Sequence, residues 1–197
     1  MIFAGIPLLI CAQADLPERS LFKESLSLLT ILTFSQMLGM FFWSGINKYV
    51  AKEMKMNQMI KVHKIIGYII VATLLVHPVF LVLPRFFESG VSPVEAFVSM
   101  ITTFNQGIFL GIVAWCLMLI IGITGLIRKR LPISYTTWRN FHGIIAVALV
   151  SIVPWHVMDL GRHDSLAMSG FIILSTAGSI LLFGKKHLVK TTTGKKK

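Results

Sequence analysis

Five apolar runs, each close to twenty residues long, limit the possible folds of this chain more than any other feature. They are Leu26–Ile46, Ile65–Leu83, Gly107–Ile127, Phe141–Met158 and Leu166–Phe183. A sixth run, Ile2–Ala12, is shorter. A transmembrane helix needs about 20 apolar residues, and these runs do not alternate as the strands of a membrane barrel do. We therefore predict an all-α integral membrane protein, a six-helix bundle whose first helix is short.

The composition agrees with a single membrane domain. Of the 197 residues, 55% are hydrophobic and 14% are charged, with a mean hydropathy of +0.77, whereas soluble domains carry about 25% charged residues. We predict one transmembrane domain over residues 1–184 and a basic tail over residues 185–197. The two cysteines, Cys11 and Cys116, lie in apolar runs. We interpret them as small buried hydrophobic side chains, not as a disulfide or a metal site.

Lysine and arginine concentrate in every second connection between the runs. Segments 47–64 and 128–140 each carry a net charge of +4 and the tail carries +6, whereas segments 14–25, 84–106 and 159–165 each carry −1. This distribution follows the positive-inside rule, under which basic loops stay in the cytoplasm. It predicts that both termini are cytoplasmic and that the third and fifth helices run outward. The net charge of +11 therefore reflects membrane topology, and we expect no nucleic-acid partner.

Four histidines occur in two of these helices with identical spacing. His63 and His77 enclose HKIIGYIIVATLLVH, and His142 and His156 enclose HGIIAVALVSIVPWH. Fourteen residues of helix rise about 21 Å and make close to four turns, so both imidazoles of one helix point to the same side. Because both helices are predicted to run outward, the histidines match level by level. We call His63 and His142 the inner pair, and His77 and His156 the outer pair.

Two imidazoles on facing helices suit a haem better than a zinc ion. Zinc needs several ligands that converge on one small ion, whereas haem iron takes two axial ligands on opposite sides of a flat ring. A single histidine in a membrane helix is often a packing or proton-path residue, but two pairs at matching depths favour ligation. We predict two haems, one held by His63 and His142 and the other by His77 and His156.

Residues near the histidines indicate how each site is completed. The second ring nitrogen of each ligand needs an acceptor, a backbone carbonyl or a hydroxyl group, which the sequence does not identify. Gly67 and Gly143 offer room for a porphyrin against the helix backbone. Four basic residues are candidate partners of the haem propionates, and a topology-setting or snorkelling role explains them equally well. They are Lys64 and Arg139 at the inner level and Arg85 and Arg162 at the outer level.

Three further features lie near the predicted membrane ends. Trp138 and Trp155 are interpreted as interfacial anchors. His163 and His187 lie outside the apolar runs and are interpreted as solvated surface residues. The stretch GIFLG at 107–111 is a GxxxG pattern, which either marks a close helix contact or arises by chance.

Parts of the sequence resemble a known family, the ferric reductase-like transmembrane domain superfamily. They are HKIIGYIIVATLLVHP, LGIVAWCLMLIIGITGLIRKRLPISYTTWRNFHG and VPWH, and the resemblance covers residues 26–183. The superfamily includes ferric reductases, NADPH oxidases and the haem-binding membrane subunit of a bacterial methionine sulfoxide reductase. In its two-haem members, four histidines hold b-type haems that carry electrons singly across the bilayer. The resemblance implies this role for His63, His77, His142 and His156, and therefore two haem b groups.

The resemblance implies an electron-transfer subunit and not a complete enzyme. Oxidases and eukaryotic ferric reductases continue after the sixth helix into FAD- and NADPH-binding domains. Residues 184–197 of this chain read GKKHLVKTTTGKKK and contain no dinucleotide fingerprint. We therefore expect partner subunits of a redox complex, such as a flavoprotein, an iron–sulfur protein or a cytochrome. We also expect contact with membrane lipid, in a bacterial inner membrane.

Two alternative functions stay open at this point. A quinol-reacting cytochrome b also uses two equally spaced histidine pairs, which would add quinone as a partner, although the chain lacks the PEWY stretch found near such quinol sites. A non-redox membrane anchor or assembly protein with structural histidines would bind no haem.

Overall fold

The computed structural model describes most of the chain. It covers residues 2–14, 20–43, 55–87, 90, 92–102, 105–160 and 165–193. Within these residues the structure is helical, with seven α-helices, two short 3₁₀ helices and no strand. The α-helices are α1 (Ile2–Gln13), α2 (Leu21–Trp43), α3 (Met56–Val82), α4 (Pro93–Thr102), α5 (Gln106–Leu126), α6 (Tyr135–Leu160) and α7 (Leu166–Thr193). The 3₁₀ helices are Leu83–Phe86 and Arg128–Arg130.

Five of the described helices are long and apolar enough to cross a membrane. They are α2, α3, α5, α6 and α7, and each overlaps one of the five long apolar runs. The predicted all-α membrane fold is thereby confirmed. Helix α1 has 12 residues, about 18 Å of helix, which is shorter than the hydrocarbon core of about 30 Å. The count of six membrane helices and the cytoplasmic position of both termini stay predictions.

The long helices carry apolar side chains on their outward faces as well as on their inward faces. Ile144 on α6 and Leu174 on α7, for example, are both exposed at the surface of the bundle. A helix at the surface of a soluble protein is apolar on one face only. Apolar side chains on all faces are typical of helices surrounded by lipid, and the protein is an integral, multi-pass membrane protein.

The five long helices form a closed ring. Helix α2 packs on α3, α3 on α5, α5 on α6, α6 on α7, and α7 back on α2. The contact between α5 and α6 is the most extensive, and α1 lies outside the ring against α2 and α7. The two histidine-bearing helices, α3 and α6, are not neighbours in this ring. They therefore face each other across its interior.

The apolar core is centred on the middle of α2 and α6. Leu38 and Val150 are fully buried there, and Phe34 and Leu149 are nearly so. Helix α1 is joined to this core by the Phe3 ring, whose centroid lies 5.1 Å from that of Phe42. Burial of such side chains removes apolar surface from contact with solvent and fixes the ring in one packed arrangement.

One described helix, α4, lies in segment 84–106, which the sequence analysis treated as a plain connection. Its start is a capping box: the backbone N–H of Ser92 donates to Glu95 Oε2 at 2.9 Å, and the N–H of Glu95 donates to Ser92 Oγ at 3.2 Å. Pro93 occupies the first helical position, where no N–H is needed. Val94 and Phe97 lie on one face and are exposed, so α4 is a short amphipathic helix.

The interpretation of the cysteines is partly wrong. Cys11 is half-buried, but Cys116 is exposed on the surface of α5. In a membrane helix an apolar side chain faces lipid as readily as it faces the core, so an apolar run alone does not predict burial.

Candidate functional site

The structure brings His63 and His142 together. Each lies seven residues after the first residue of its helix, and their ring centroids are 6.3 Å apart with planes inclined at 71°. Because an imidazole nitrogen binds a metal at about 2 Å and its ring centroid lies about 1 Å further back, the centroids of two axial ligands on one ion are about 6 Å apart. The inner pair therefore has the separation that axial ligation of one iron requires.

The outer pair lies at the other ends of the same two helices. His77 is five residues before the end of α3, and His156 is four before the end of α6. Each helix contains a proline near its outer histidine. Pro78 follows His77 directly, and Pro154 lies two residues before His156. Proline lacks an N–H and clashes with the carbonyl one turn earlier, so both turns lose helical hydrogen bonds.

Trp115 of α5 fixes the position of α3 close to His77. Its indole N–H donates to the carbonyl of Leu75 at 3.0 Å. Leu75 lies in the turn that Pro78 disturbs, where a carbonyl benefits from a partner outside its own helix. The bond therefore joins α3 to α5 two residues before His77.

Both outer histidines are hydrogen-bonded through Nδ1. His156 Nδ1 lies 2.8 Å from the carbonyl oxygen of Gly107, and because a carbonyl only accepts, Nδ1 carries the proton. His77 Nδ1 lies 3.3 Å from Thr30 Oγ1, whose own proton is donated to the Leu26 carbonyl at 2.9 Å. His77 Nδ1 is therefore also the donor; both tautomers are assigned from these hydrogen bonds. Each ring keeps a free lone pair on Nε2, the form that binds a metal.

The GIFLG stretch marks a close contact between α5 and α6 at the outer pair. A methyl group on Gly111 would lie 2.6 Å from both Cε1 and Nδ1 of His156. A methyl group on Gly107 would overlap the carboxylate of Asp159. Asn105 caps α5, and its side-chain oxygen accepts hydrogen bonds from the backbone N–H groups of Gly107 and Ile108. The cap thereby holds the peptide group whose carbonyl binds His156.

An aromatic side chain contacts His142 of the inner pair, and a cationic side chain contacts that aromatic ring in turn. The Trp138 ring lies 5.1 Å from that of His142 at an angle of 31°, and its indole N–H donates to the Thr124 carbonyl at 3.2 Å. The Arg128 guanidinium lies over the rings of Tyr135, at 4.4 Å, and Trp138, at 5.2 Å. Nδ1 of His142 is buried without a hydrogen-bond partner in the part of the chain that the structure describes. An interfacial anchor alone does not account for the contact of Trp138 with His142.

The predicted propionate partners at the inner level are exposed, whereas Arg128 is partly buried. Lys64 is exposed on α3, and Arg139 is exposed with its guanidinium 5.9 Å from the Tyr135 ring. Arg128 has a buried Nε without a partner among the described residues, and sequence reasoning had treated it as a topology-setting charge. The remaining predictions concern Arg85, Arg162, His163 and His187, whose side chains lie outside the described residues.

The two glycines predicted to receive a porphyrin differ in the space that lies beside them. A methyl group on Gly67 would have no neighbour within 4 Å, so space is open beside α3. A methyl group on Gly143 would lie 2.9 Å from the Phe183 ring. The small size of Gly143 allows α7 to pack against α6 here, and its role beside a porphyrin stays a prediction. Trp155 is exposed, as an anchor at the membrane interface would be.

The candidate ligands are four histidines on two helices, His63 and His77 on α3 and His142 and His156 on α6. Among the described residues, no group of three or more His, Cys, Asp or Glu side chains comes together. A protein zinc site needs three or four such ligands, whereas a haem iron is held by one or two. The role of the four histidines as axial ligands of two haems stays a prediction.

The comparisons with known proteins agree with the resemblance found in the sequence. Residues 29–153 match the family described as ferric reductase like transmembrane component. An uncharacterized protein of Archaeoglobus fulgidus is 41% identical over 160 residues, which are 81% of this chain and 87% of that protein. No solved structure matches the chain. Since this relative is archaeal, a bacterial inner membrane stays a prediction. The chain belongs to the ferric reductase-like transmembrane family.

Proposed function

We propose that the chain is a di-haem b electron-transfer subunit that passes electrons across the bilayer between a donor and an acceptor carried by partner proteins. The observation that carries this proposal is the occurrence of two histidine pairs at two levels of one helix ring, the inner with ring centroids 6.3 Å apart. Membership of the family supports transmembrane electron transfer. A haem at each level supplies a centre that accepts and releases single electrons.

The helices set the positions of the two sites. His63 and His77 on α3, and His142 and His156 on α6, are each 14 residues apart, about 21 Å along a helix axis. Two levels at this spacing cover most of a hydrocarbon core of about 30 Å. The sites therefore bring an electron from near one membrane face to near the other.

The surrounding residues orient the ligands and keep water out. Thr30 and the Gly107 carbonyl hold the outer rings with Nε2 free for a metal. Buried apolar side chains, among them Leu38 and Val150, fill the interior of the ring. An apolar surrounding of this kind protects a reduced centre from water and oxidants and influences its potential.

Partner proteins complete the proposed electron path. A flavoprotein, an iron–sulfur protein or a cytochrome would supply or receive electrons at the two membrane faces. The surface next to the inner pair is cationic, with Lys129 and Arg130 exposed beside Arg128. Such a surface favours a partner with an acidic docking face.

Haem content and the absorption spectrum of the purified full chain test the proposal. We expect a b-type spectrum with two haems per chain. His63→Ala and His142→Ala should each remove the same haem, because each takes away one of two axial ligands of one iron. His163→Ala changes a histidine outside the apolar runs and serves as the control that keeps both haems.

Two outcomes would contradict the proposal. Fully folded protein that contains no haem would exclude an electron-transfer role through haem. Loss of spectrally different haems from His63→Ala and His142→Ala would show that the inner pair does not ligate one iron.

A further inference from the structure

The outer histidines differ from His142 of the inner pair in the hydrogen bonding of their rings. Both outer rings donate through Nδ1, His156 to a carbonyl and His77 to a hydroxyl, whereas Nδ1 of His142 is buried and has no partner among the described residues. A ligand histidine whose second nitrogen donates a hydrogen bond is a more basic ligand. Stronger donation to iron stabilises the ferric state over the ferrous state. This difference lowers the reduction potential at the outer pair.

Among the described residues, charged side chains differ in the same sense. The Arg128 guanidinium is 5.2 Å from the Trp138 ring, which in turn lies 5.1 Å from the ring of His142. The carboxylate of Asp159 lies against Gly107, the residue that accepts the bond from His156. A nearby positive charge favours the reduced state of a centre and a nearby negative charge disfavours it. Such effects are larger in apolar surroundings than in water.

The helix termini contribute a third difference. The positive ends of α3 and α6 are at the inner level, and their negative ends are at the outer level. Each terminus carries about half an elementary charge, and its effect is greatest within the last turn. His156 and His77 are four and five residues from their helix ends, closer to a terminus than His63 and His142, which are seven residues from theirs. The two helices run in the same direction, and their contributions add.

We propose that Thr30 and the Gly107 carbonyl are positioning groups of the outer site, and that with Asp159 they set the reduction potential of a haem held there below that of a haem at the inner pair. The proposal rests on the proposed function, because it assumes a haem at each level. It implies that an electron in the half-reduced protein resides mainly at the inner site.

Potentiometric titration of two single-haem variants tests the order of the potentials. His63→Ala keeps only the outer haem and His77→Ala keeps only the inner haem, and each lacks the influence of the other haem equally. We expect at least a tenfold preference of the electron for the inner site, which corresponds to about 59 mV for a one-electron couple. Equal midpoints, or a higher midpoint at the outer site, would overturn the proposal.

Haem content is measured first, so that two kinds of failure are kept apart. Folded protein without haem would contradict the proposed function itself. Two haems per chain with the reverse order of midpoints would leave the proposed function intact and contradict only the present inference.

Substitution of Thr30 tests its role as a positioning residue. Thr30→Val keeps the shape of the side chain and removes the acceptor of the His77 bond, so the outer midpoint should become more positive while the inner midpoint stays unchanged. Thr30→Ser restores a hydroxyl group and should restore the midpoint. Thr33→Val is the matched control, because the Thr33 hydroxyl donates to the Leu29 carbonyl of its own helix. An unchanged outer midpoint in Thr30→Val would refute the role of Thr30.

Discussion

The ring of His156 rests on a part of α5 where glycine leaves the backbone bare. At Gly111 a methyl group would lie 2.6 Å from two atoms of the imidazole, closer than a non-bonded contact permits. Because the Gly107 carbonyl lies one turn earlier on the same face, the same absence of side chains lets His156 reach its acceptor. The position of His156 thus depends on a glycine of another helix.

Replacement of Gly111 by alanine should selectively weaken the outer site. The added methyl group displaces the His156 ring, and a misplaced ligand typically costs about 10- to 100-fold in metal affinity. The measurement is haem content and the difference spectrum of the purified variant. We expect loss of the outer haem with the inner haem retained.

Gly125→Ala is the matched control for this experiment. It adds the same group to the same helix, where it would meet nothing within 4 Å, and should keep both haems. Retention of a normal outer haem in Gly111→Ala would show that the close contact with α5 does not position His156.

The sequence predicts that His63 lies near His142, as the structure has it, but not which residues surround the histidines. Lys64 follows His63 in the chain, but consecutive residues point about 100° apart on a helix, and Lys64 is exposed. Arg128 comes close to the inner pair only through the fold, by way of Trp138. Thr30 likewise reaches His77 from another helix. Such contacts depend on how each helix is rotated about its axis, which local patterns do not specify.

At the element scale, the long helices follow the apolar runs but extend beyond them. Helix α3 begins at Met56, nine residues before the run that starts at Ile65. The extension contains Gln58 and Lys61, which are good helix formers outside the membrane. His63 therefore lies well inside the helix, where the flanking turns hold its backbone in place. Hydropathy locates the bilayer segment of a helix, not the helix ends.

Helix α4 was missed because its ten residues are too few to register as a membrane run. Its sequence signal was nevertheless present, since Ser92, Pro93 and Glu95 form the start of a capping box with proline at the first helical position. The exposed Val94 and Phe97 on one face complete the pattern of a short amphipathic helix.

The capping box makes the stability of α4 depend on pH. Hydrogen bonds from the backbone and side chain of Ser92 hold the pKa of the Glu95 carboxyl below its ordinary value. A depressed pKa in the folded state means that ionised Glu95 stabilises the helix, and that this contribution is lost as the pH falls through that lower pKa. Hydrogen-exchange protection of the α4 amides should therefore decrease on acidification below the ordinary range of a glutamate.

Glu95→Gln separates this effect from general acid instability. The glutamine amide is neutral and does not titrate. The acid-dependent decrease in α4 protection should therefore disappear, while the long helices behave as in the original protein. Protection of α4 that does not change with pH in the original protein would contradict the role of the cap.

At the scale of the whole molecule, the distribution of basic residues predicts which end of the bundle faces the cytoplasm. Labelling of single cysteines with an impermeant maleimide measures this directly, in a chain with Cys11→Ser and Cys116→Ser. Thr102→Cys lies near the outer level and should react in intact cells. Ile133→Cys lies in the basic turn and should react only after the membrane is opened.

The reverse labelling pattern would show that the topology is opposite to the predicted one, with the inner pair near the outer face of the membrane. The helix ring and the histidine pairs would be unaffected, because they depend on packing within the bundle and not on its orientation. This experiment therefore tests the charge argument separately from the site.

The sequence was sufficient for the fold class and for the proximity of His63 to His142, because both follow from helix length and spacing. The matching of the outer pair stays a prediction. The sequence was not sufficient for the order of helices around the ring. That order decides that α3 and α6 lie apart and that α5 contacts both. It results from the packing of small and large side chains, such as Gly122 against Val71, over the whole bundle at once.

The separation of α3 and α6 in the ring has a mechanical consequence. Apart from the approach of His63 to His142, these two helices are joined mainly through the neighbours between them. Haems bound as proposed would connect the two helices directly at two levels. Haem binding as proposed would then raise the free energy of unfolding of the bundle, because haem would bind the folded state only.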